Sequence, residues 1–588
     1  MADTLYNDSA PGRRSRLERS KSRLWTERAS FDQHWRDIGD YLMPRRTRFH
    51  ASDRNRGDKR NQNIIDSTAR FAARTLASGL HAGLTSPARP WMKLTTSDPD
   101  LAEHGPVKEW LHTVTQRMLD TFLKGNLYNV LPMIYGDMGL FGTACMSIMA
   151  DQKDVFRAYA YPLGSFAISM DRRGNASTFC REYELSVRQV VEEFGVRQGY
   201  RDIDWSKISL AVKRMWDNGQ YEDPVRLVWM VQPNAQAEEG KIDAKYLPWS
   251  SCHWELGQPN DQGSTTSGFL RESGYQTFPI MAPRWDITAE DSYGTDCPGM
   301  TALGDVRQLQ VMQLEKGKAI KKMVSPPMVA PTAFRTQKTS ILPGDITYGD
   351  TREGQQGMRP IYQVQIDLEH LRLDMGEVQY RIKRAFYEDL FLMMAQSDAQ
   401  RGSQPVTARE IDERHEEKLI VLGPVLERTN DELLDPIVDR VYLLMHERGM
   451  IPEPPDELDH VDLKVEYISI MAQAQKLVGV GGVDRYMQSA TVLAQTFPDV
   501  RHKIDINEVM DGYAEMLGVP PKMTRTTEDA VKLQQAEAQA VQQAQQAEQA
   551  KTLATAAAQA GARPVAPDSA LDRMSQQMGA PGAQSAVA

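Results

Sequence analysis

The chain has 588 residues and a mass of 66.3 kDa, of which 41% are hydrophobic and 25% charged. This composition is typical of a globular protein and excludes a collagenous chain, a small disulfide scaffold and a wholly disordered protein. The net charge of −10 excludes DNA wrapping by bulk attraction, because tight duplex binding needs a lysine or arginine at each phosphate. At about 150 residues per domain, the length predicts three or four domains.

The positive charge is concentrated near the N-terminus. Residues 13–60 contain 15 Lys and Arg against 7 Asp and Glu, a local charge of +8, so the rest of the chain carries −18. One interpretation is a solvated helix face, and the other is an electrostatic patch for an anionic or acidic partner. The N-terminus lacks the apolar segment of a signal peptide.

The cysteines are scattered and form no CxxC pair, which excludes a zinc ribbon or a thioredoxin-like motif. We expect them to be buried thiols in a reducing compartment. They are Cys145, Cys180, Cys252 and Cys297. The most apolar segment, 131–150, contains Pro132, Asp137 and three glycines, so we expect a buried core segment rather than a membrane span.

The first half of the chain combines helices with a β-rich region. Apolar residues at helical spacing predict helices over 15–43, 67–84 and 107–123. From 140 to 290, short runs rich in β-branched and aromatic residues alternate with turn-type clusters. This pattern predicts strands, with a helix near 186–194.

The second half is mainly helical. Helices are predicted over 299–323 and 368–394, with a small β-rich excursion over 325–366 between them. The second of these helices carries an apolar stripe that needs a partner to bury it. The stripe contains Leu371, Met375, Val378, Ile382, Phe386 and Leu390.

A polar loop over 396–406 follows, and the capping box at 407–410 opens a long helix to about 448. Pro424 and Pro436 are expected to kink this helix, because proline removes a backbone hydrogen bond. A Pro-rich linker follows Gly449, and residues 461–520 predict a short strand and more helices. Ala or Gln occupies 20 of the 27 positions in 534–560, which indicates a marginal helix, and the last 25 or so residues read as disordered.

The chain offers no positive case for an enzyme. It has no P-loop, which excludes an ATP-driven motor, and no GxSxG nucleophile elbow. His415 and Glu416 lack the second histidine of a zinc protease, since Leu419 stands at that position. The acidic cluster 410–417 is therefore interpreted as a solvated or intersubunit face, and we expect no metal or cofactor.

Lysines close the predicted helix 299–323, and three of the four share one face. They are Lys316, Lys318, Lys321 and Lys322. Their position favours interaction with the helix C-terminus. The alternative is contact with phosphates or with the acidic surface of a partner.

Four stretches of the chain, in a fixed order, carry further information. The first is the pair WRDIGDYLMPRRTRF (35–49) and DSTARFAARTLASGLHAGLTSPARPWMKL (66–94). The second segment is RWDITAEDSYGTDCPGMTALGDVRQLQ (284–310), and the third is TAREIDERHEEKLIVLGPVLERTNDELLDPIV (407–438). The fourth is the AQ-containing EYISIMAQAQ (466–475). In this order the segments resemble the head-to-tail connector (portal) proteins of short-tailed, podovirus-type bacteriophages, and the resemblance covers about residues 15–520.

The resemblance implies an α+β, mainly helical ring subunit with wing, stem, clip and crown regions. The implied regions are a wing over 1–299, stem helices over 300–324 and 367–395, a clip over 325–366, a channel (tunnel) loop over 396–406, a kinked wing helix over 407–449, a crown over 450–530 and an Ala/Gln-rich tail over 531–588. The apolar stripe of 368–394 would then pack the stem and its neighbours in the ring.

The implied function is a non-enzymatic ring, usually of twelve copies, at one capsid vertex, assembled in the host cytoplasm and carried in the virion. It conducts double-stranded DNA during packaging and ejection. The implied partners are the terminase large subunit, the major capsid and scaffolding proteins and tail adaptor proteins, without a membrane. Candidate residues for guiding DNA are the four lysines Lys316, Lys318, Lys321 and Lys322, with Arg401, Gln396, Gln400 and Gln404.

Two alternatives stay open. The first is a metal-dependent phage enzyme that processes nucleic acid with the carboxylates around 410–417, which requires a fixed constellation that the sequence does not supply. The second is another phage structural or scaffolding protein, which the Ala/Gln tail favours. The long β-rich region with its aromatic residues counts against a scaffolding protein.

Overall fold

The structure is a computed structural model that describes residues 10–50, 57, 59–98, 101–102, 104–196, 203–257, 268–288, 290–325, 328–329, 359–360, 367–397, 422–458, 461–468, 509 and 527–561. The chain forms two compact units, Met1–Ala102 with Pro106–Val483, and Glu103–Gly105 with Asp484–Ala588. The expectation of three or four domains is wrong, because one continuous hydrophobic core joins residues from Trp35 to Leu458. The α+β, mainly helical class is confirmed.

Most helices of the described ranges match predicted helical segments, whereas those over 127–141 and 210–217 were not predicted. The helices are α1 (Ala10–Tyr41), α2 (Thr68–Leu84), α3 (Gly105–Lys124), α4 (Leu127–Phe141), α5 (Val187–Val190), α6 (Leu210–Asp217), α7 (Pro298–Val324), α8 (Leu368–Ala385), α9 (Glu388–Ser397), α10 (Asp435–Glu447) and α11 (Thr527–Gly561). A π-helical turn, Val191–Gly195, extends α5 and completes the helix expected near 186–194. The 35-residue α11 belongs to the second unit.

The β-rich region is confirmed as two antiparallel sheets. Its strands are β2 (Met146–Asp151), β3 (Val155–Ala160), β4 (Phe166–Met170), β5 (Ala176–Ser186), β6 (Pro224–Pro233), β7 (Trp249–Glu255), β8 (Arg271–Tyr275) and β9 (Ile280–Met281). The larger sheet has the order β4-β5-β6-β7-β8, and the smaller has β3-β2-β9. Two further pairs join β1 (Met92–Thr96) to β12 (Leu463–Tyr467) and β10 (Met328–Val329) to β11 (Arg359–Pro360).

Only part of the basic N-terminal segment is a solvated face, because several of its charges are bound within the chain. Arg14 on α1 is buried and donates to the carbonyls of Gly268 and Glu255 at 2.6 and 2.8 Å. Arg28 is also buried and donates to the carbonyls of Gly164 and Phe166. These side chains attach α1 to the larger sheet. Further cations of the segment form ion pairs at Arg13–Glu272, Lys21–Glu182 and Arg46–Asp137.

The apolar segment 131–150 is buried core, as predicted. It forms the end of α4 and the start of β2, and Asp137 is buried there against Arg46, with 2.8 Å between Oδ1 and Nη1. All four cysteines are free and buried, which confirms their interpretation as small core residues. Among the described residues, no helix is long and apolar enough to cross a membrane.

The helices α7 and α8 form an antiparallel pair, with an ion pair between Asp305 and Arg381 near one end and the β10–β11 pair beyond the other. The stripe on α8 and α9 is buried by residues of the same chain. Met375, Val378 and Ile382 are at most 4% exposed, and Phe386 and Leu390 are equally deep, whereas Leu371 is partly exposed. Burial of this stripe therefore gives no reason of its own for a second copy.

The predicted continuous helix 368–394 is wrong. It divides at Phe386 and Tyr387, where Tyr387 has a φ of 55° and its N–H donates to the carbonyl of Arg384. A left-handed residue ends a helix, and the usual sequence sign of one is glycine or asparagine. The apolar spacing from Ile382 through Phe386 to Leu390 continues across the break, so periodicity does not reveal it.

The described part of the long helix predicted over 407–448 runs through both prolines. Residues 422–429 are α-helical, a π-helical turn covers Asn430–Leu434, and Pro436 lies in the first turn of α10. Proline is tolerated in a first turn because its missing N–H has no partner to lose there. Gly449, with a φ of 64°, ends this helix, and the chain then reaches β12.

Candidate functional site: the junction at the base of α7 and α8

A carboxylate joins three helices at the base of the α7–α8 pair. Asp66 precedes α2, and its Oδ1 accepts the N–H of Thr68 at 2.8 Å. Its Oδ2 accepts the side-chain amides of Gln313 on α7 and Gln379 on α8, at 3.1 and 3.0 Å. Burial favours the neutral acid, but these hydrogen bonds outweigh it and hold the pKa of Asp66 below its usual value.

The side chain of Gln310 holds the segment before α2 against α7. It is 5% exposed, and its Oε1 accepts the N–H groups of Ile65 and Asp66 at 2.6 and 2.8 Å. Its Nε2 donates to the carbonyl of Asp66 at 3.0 Å. Because both the oxygen and the nitrogen of this buried amide are hydrogen-bonded, it holds the backbone of the segment before α2 in one position.

A buried ion pair connects the segment before α7 to the π-helical turn Asn430–Leu434. Arg284 is 2% exposed, and its Nη2 lies 2.6 Å from Oε1 of Glu432. The backbone N–H of Arg284 also donates to Oε2 of Glu432 at 2.8 Å. The remaining guanidinium N–H groups reach the carbonyls of Asp291 and Gly174 at 2.8 and 2.7 Å. The cation is therefore fully partnered, which is what makes its burial tolerable.

Close backbone contacts join the end of α4 to the start of α7. A Cβ atom added at Gly294 would lie 2.1 Å from the carbonyl oxygen of Gly142, and one added at Gly299 would lie 2.1 Å from that of Leu140. These distances leave room for glycine alone. Nearby, the buried Tyr293 ring packs against Trp35 at 5.3 Å, and its hydroxyl accepts the N–H of Ile168.

The fourth quoted segment is attached in the same way. The ring of Tyr467 stacks on Trp91, with 6.3 Å between the centroids, across the β1–β12 pair. Its hydroxyl donates to Asp435 at the start of α10. Burial raises the pKa of Asp435, and so does the nearby Asp431. The described parts of the four quoted segments are therefore joined to one another by direct contacts.

The junction consists of polar contacts that hold helices and loops together. A cavity of about 620 Å³ lies beside it, lined by Trp285, Asp286, Cys297 and Arg381 among others. Burial raises the pKa of the Cys297 thiol to about 12, so no thiolate nucleophile forms there at neutral pH. Within the described ranges, no group of three His, Cys, Asp or Glu side chains is arranged to hold a metal ion.

The predicted DNA-guiding residues are only partly within the described ranges. Lys318, Lys321 and Lys322 are exposed at the far end of α7, Lys316 is half-buried, and Lys318 lies 2.7 Å from Glu315. Gln396 belongs to α9 rather than to a loop. Gln400, Arg401 and Gln404 lie outside the described residues, as do the acidic cluster 410–417 and the capping box at 407–410.

The comparisons with known proteins agree with the resemblance of the quoted segments. The family model for "Bacteriophage head to tail connecting protein" matches residues 14–524. The chain belongs to this family. It is 42% identical to the portal protein of Salmonella phage epsilon15 over 529 residues, which cover 90% of this chain and 92% of that protein. It is also 42% identical to a probable portal protein of Bordetella phage BPP-1 over 501 residues, 85% of this chain and 86% of that protein.

Four of the residues that form the junction of this connector protein lie in the segments that carry the resemblance, but no sequence pattern singles them out. Asp66, Arg284, Gln310 and Glu432 are ordinary polar residues in isolation, and their partners lie far away in sequence. The available signal was the order of the segments, which identifies residues that belong together without saying which of them touch.

Proposed function

We propose that this connector protein is the subunit of a portal ring that occupies one vertex of a phage head. The observation that carries the proposal is the match to the connector family over residues 14–524, with relatives named as portal proteins across most of their length. The ring conducts double-stranded DNA into the head during packaging and out of it during ejection. It has no catalytic step of its own, so a separate terminase supplies the work.

In this proposal α7 and α8 form the stem, together with the continuation of the chain to 395. Residues 325–366 are the clip, and residues 1–299 with 407–449 are the wing. Residues 450–530 are the crown, 396–406 the channel loop, and 531–588 a tail. The junction supports this division, because Asp66, Gln310 and the Arg284–Glu432 pair would hold the stem on the wing while DNA moves past.

The partners follow from the position at the vertex. We expect the clip to meet the terminase large subunit first and tail adaptor proteins afterwards, while the wing contacts the major capsid and scaffolding proteins. The protein is then a virion component that assembles in the host cytoplasm. The channel loop, with Arg401, Gln400 and Gln404, would line the path of the DNA.

The test is the mass and symmetry of the purified protein, measured by native mass spectrometry and class averages of stained particles. We expect a ring with a central hole and about twelve times the mass of the 66.3 kDa chain. Such rings should also be incorporated into heads that package DNA. Rings that never enter heads would contradict the portal function, and a stable monomer would contradict the ring itself.

A further inference from the structure

The far ends of α7 and α8 carry opposite charges. Residues 315–325 contain four lysines against one glutamate, a net +3. Residues 367–377 contain four acidic residues against one arginine, a net −3 with histidine neutral. The exposed intrahelical contacts there, Lys318–Glu315, His370–Asp367 and Glu377–Arg381, are of the kind that contributes little.

Each helix also exposes apolar side chains on the face that bears these charges. On α7, Val311 is 59% and Leu314 46% exposed. They lie on the same side of the helix as Lys318 and Lys322, which follow over the next three turns. We call this set of four the lysine face. On α8, Leu373 is 65% and Tyr380 55% exposed, in line with Glu369 and Glu377. We call this second set the acidic face.

The two faces point in opposite directions. The inner side of α8 buries Met375, Val378 and Ile382, and the inner side of α7 buries Val306 and Leu309. The lysine face lies about half a helical turn from the inner side of α7, and the acidic face about half a turn from the inner side of α8. A surface and its complement on opposite sides of one chain suit a head-to-tail contact, which is the kind of contact that builds a ring when the rotation between copies closes.

The complementary features also lie at matching heights along the pair. Two contacts set the relative heights of the helices: Gln313 and Gln379 reach the same oxygen of Asp66, and Arg381 reaches Asp305. Because the helices are antiparallel and rise about 1.5 Å per residue, these contacts place Val311 at the height of residues 375–381, which include Tyr380. By the same argument Lys318 lies at the height of residues 368–374, which include Glu369 and Leu373, and Lys322 lies near the start of α8, where Glu369 is.

We propose that the lysine face of one copy binds the acidic face of the next copy in the ring. This inference rests on the proposed ring and adds which surfaces meet in it. Rotation about an axis along the helix pair keeps each residue at its own height, so the matched levels bring Lys322 to Glu369 and Val311 to Tyr380. The lysines then serve the contact between subunits, which is the alternative of an acidic partner surface, rather than the guidance of DNA for which the resemblance made them candidates.

The test uses charge reversal in the full-length protein. K318E/K322E and E369K/E377K should each raise the concentration needed for half-maximal ring formation about tenfold or more, because several like charges then oppose each other at every interface. A chain that carries all four changes should form rings again. K153E/K207E, which reverses two exposed lysines outside the two faces, is the matched control and should assemble like the wild type.

Mixing the two double variants makes the test sharper. K318E/K322E chains can meet E369K/E377K chains only in alternation, so the mixture should recover rings with equal numbers of both, counted by native mass spectrometry with one chain mass-tagged. Thermal unfolding of each variant identifies loss of folding, and a variant that fails to fold is replaced by its glutamine counterpart, for which a smaller loss of rings is expected.

The outcomes separate this inference from the proposed function. Wild-type rings together with normal rings of K318E/K322E and of E369K/E377K would overturn the interface and leave the portal function standing. If the K318E/K322E rings then lose DNA from filled heads, the lysines contact DNA instead. A wild-type protein that forms no ring under any condition would overturn both.

Discussion

Arg284 is a buried cation whose side-chain contacts come mainly from distant parts of the chain. Its ion pair to Glu432 connects residues 148 positions apart, and its other donors reach Gly174 and Asp291. A buried ion pair is expensive to form and costly to break, because removal of one partner leaves an uncompensated charge. The pair therefore sets the position of the π-helical turn relative to the segment before α7.

We expect Glu432→Gln to lower the free energy of unfolding by about 3 kcal/mol or more, since it leaves the Arg284 guanidinium buried without a counter-charge. Chemical denaturation followed by circular dichroism measures the loss. Glu427→Gln, on the exposed side of the same helix, should change stability by less than about 0.5 kcal/mol. Equal effects of the two substitutions would contradict the role given to Glu432.

Asp137 makes the stability of the chain depend on pH. Burial raises its pKa to about 6 although Arg46 lies 2.8 Å away, whereas an aspartate in an unfolded chain has a pKa of about 3.9. Between these two values the folded chain binds more protons than the unfolded chain. The contribution of Asp137 to stability is therefore present below about pH 4 and is lost as the pH rises to about 6.

We expect Asp137→Asn to remove this dependence, because the amide carries no charge at any of these pH values. The stability of the variant relative to the wild type should rise by about 2 kcal/mol between pH 4 and pH 6.5, measured by urea denaturation at each pH. Asp120→Asn, an exposed change on α3, should follow the wild-type profile. A constant difference between Asp137→Asn and the wild type would refute the raised pKa.

The environment of a single residue was predictable from the sequence where its own polarity and that of its neighbours determine whether it is buried. The isolated cysteines and Asp137 in its apolar segment were correctly expected to lie in the core. The arginines of α1 were not, because a sequence shows their charge but not the carbonyls of Gly164 and Glu255 that accept their hydrogen bonds. Long side chains with several donors suit either solvent or a distant backbone, and only the fold distinguishes these cases.

At the scale of elements, the start of α7 depends on contact between backbones. Gly299 in its first turn faces the carbonyl oxygen of Leu140, whereas Gly304, one turn later, has no atom within 4 Å of an added Cβ. We expect Gly299→Ala to destabilise the chain by about 2 kcal/mol or more through overpacking. Gly304→Ala should instead stabilise it by about 0.5–1 kcal/mol, since alanine favours the helix.

Thermal unfolding of the two alanine variants measures these shifts, and their opposite signs provide the control. Each substitution adds the same methyl group to the same helix, so a difference in helix propensity cannot produce a difference in sign. If both variants were stabilised, the close approach of α4 to α7 would be absent in solution.

Hydrophobic periodicity predicted the presence of helices far better than it predicted where they end or how distant strands pair. The helices α1, α2, α3 and α7 lie within a few residues of their predicted bounds, because long apolar repeats define them. The break at Tyr387 and the π-helical turn leave the apolar spacing intact, so no pattern marks them. The pairing of β1 with β12 joins residues about 370 positions apart, which local sequence cannot specify.

At the scale of the whole molecule, charge limits how firmly a ring of these chains holds DNA. Twelve copies at −10 each carry −120, which repels a polyanion instead of wrapping it. Such a ring suits a channel through which DNA must slide. Retention of a packaged genome then needs a local obstruction, and the polar loop 396–406 is the segment that the sequence offers for it.

We expect deletion of residues 399–404, which leaves α9 intact, to spare ring assembly and to impair retention of DNA. Heads assembled with the variant should package DNA and then lose it, measured as the fraction of the genome that stays protected from nuclease over time. Deletion of 562–588 is the control and should change neither rings nor retention, because this tail follows α11 and lies beyond the residues matched by the connector family. Since the loss is mechanical in origin, magnesium or added salt should not restore it. Unchanged retention in the loop variant would show that the loop does not hold the genome in the channel.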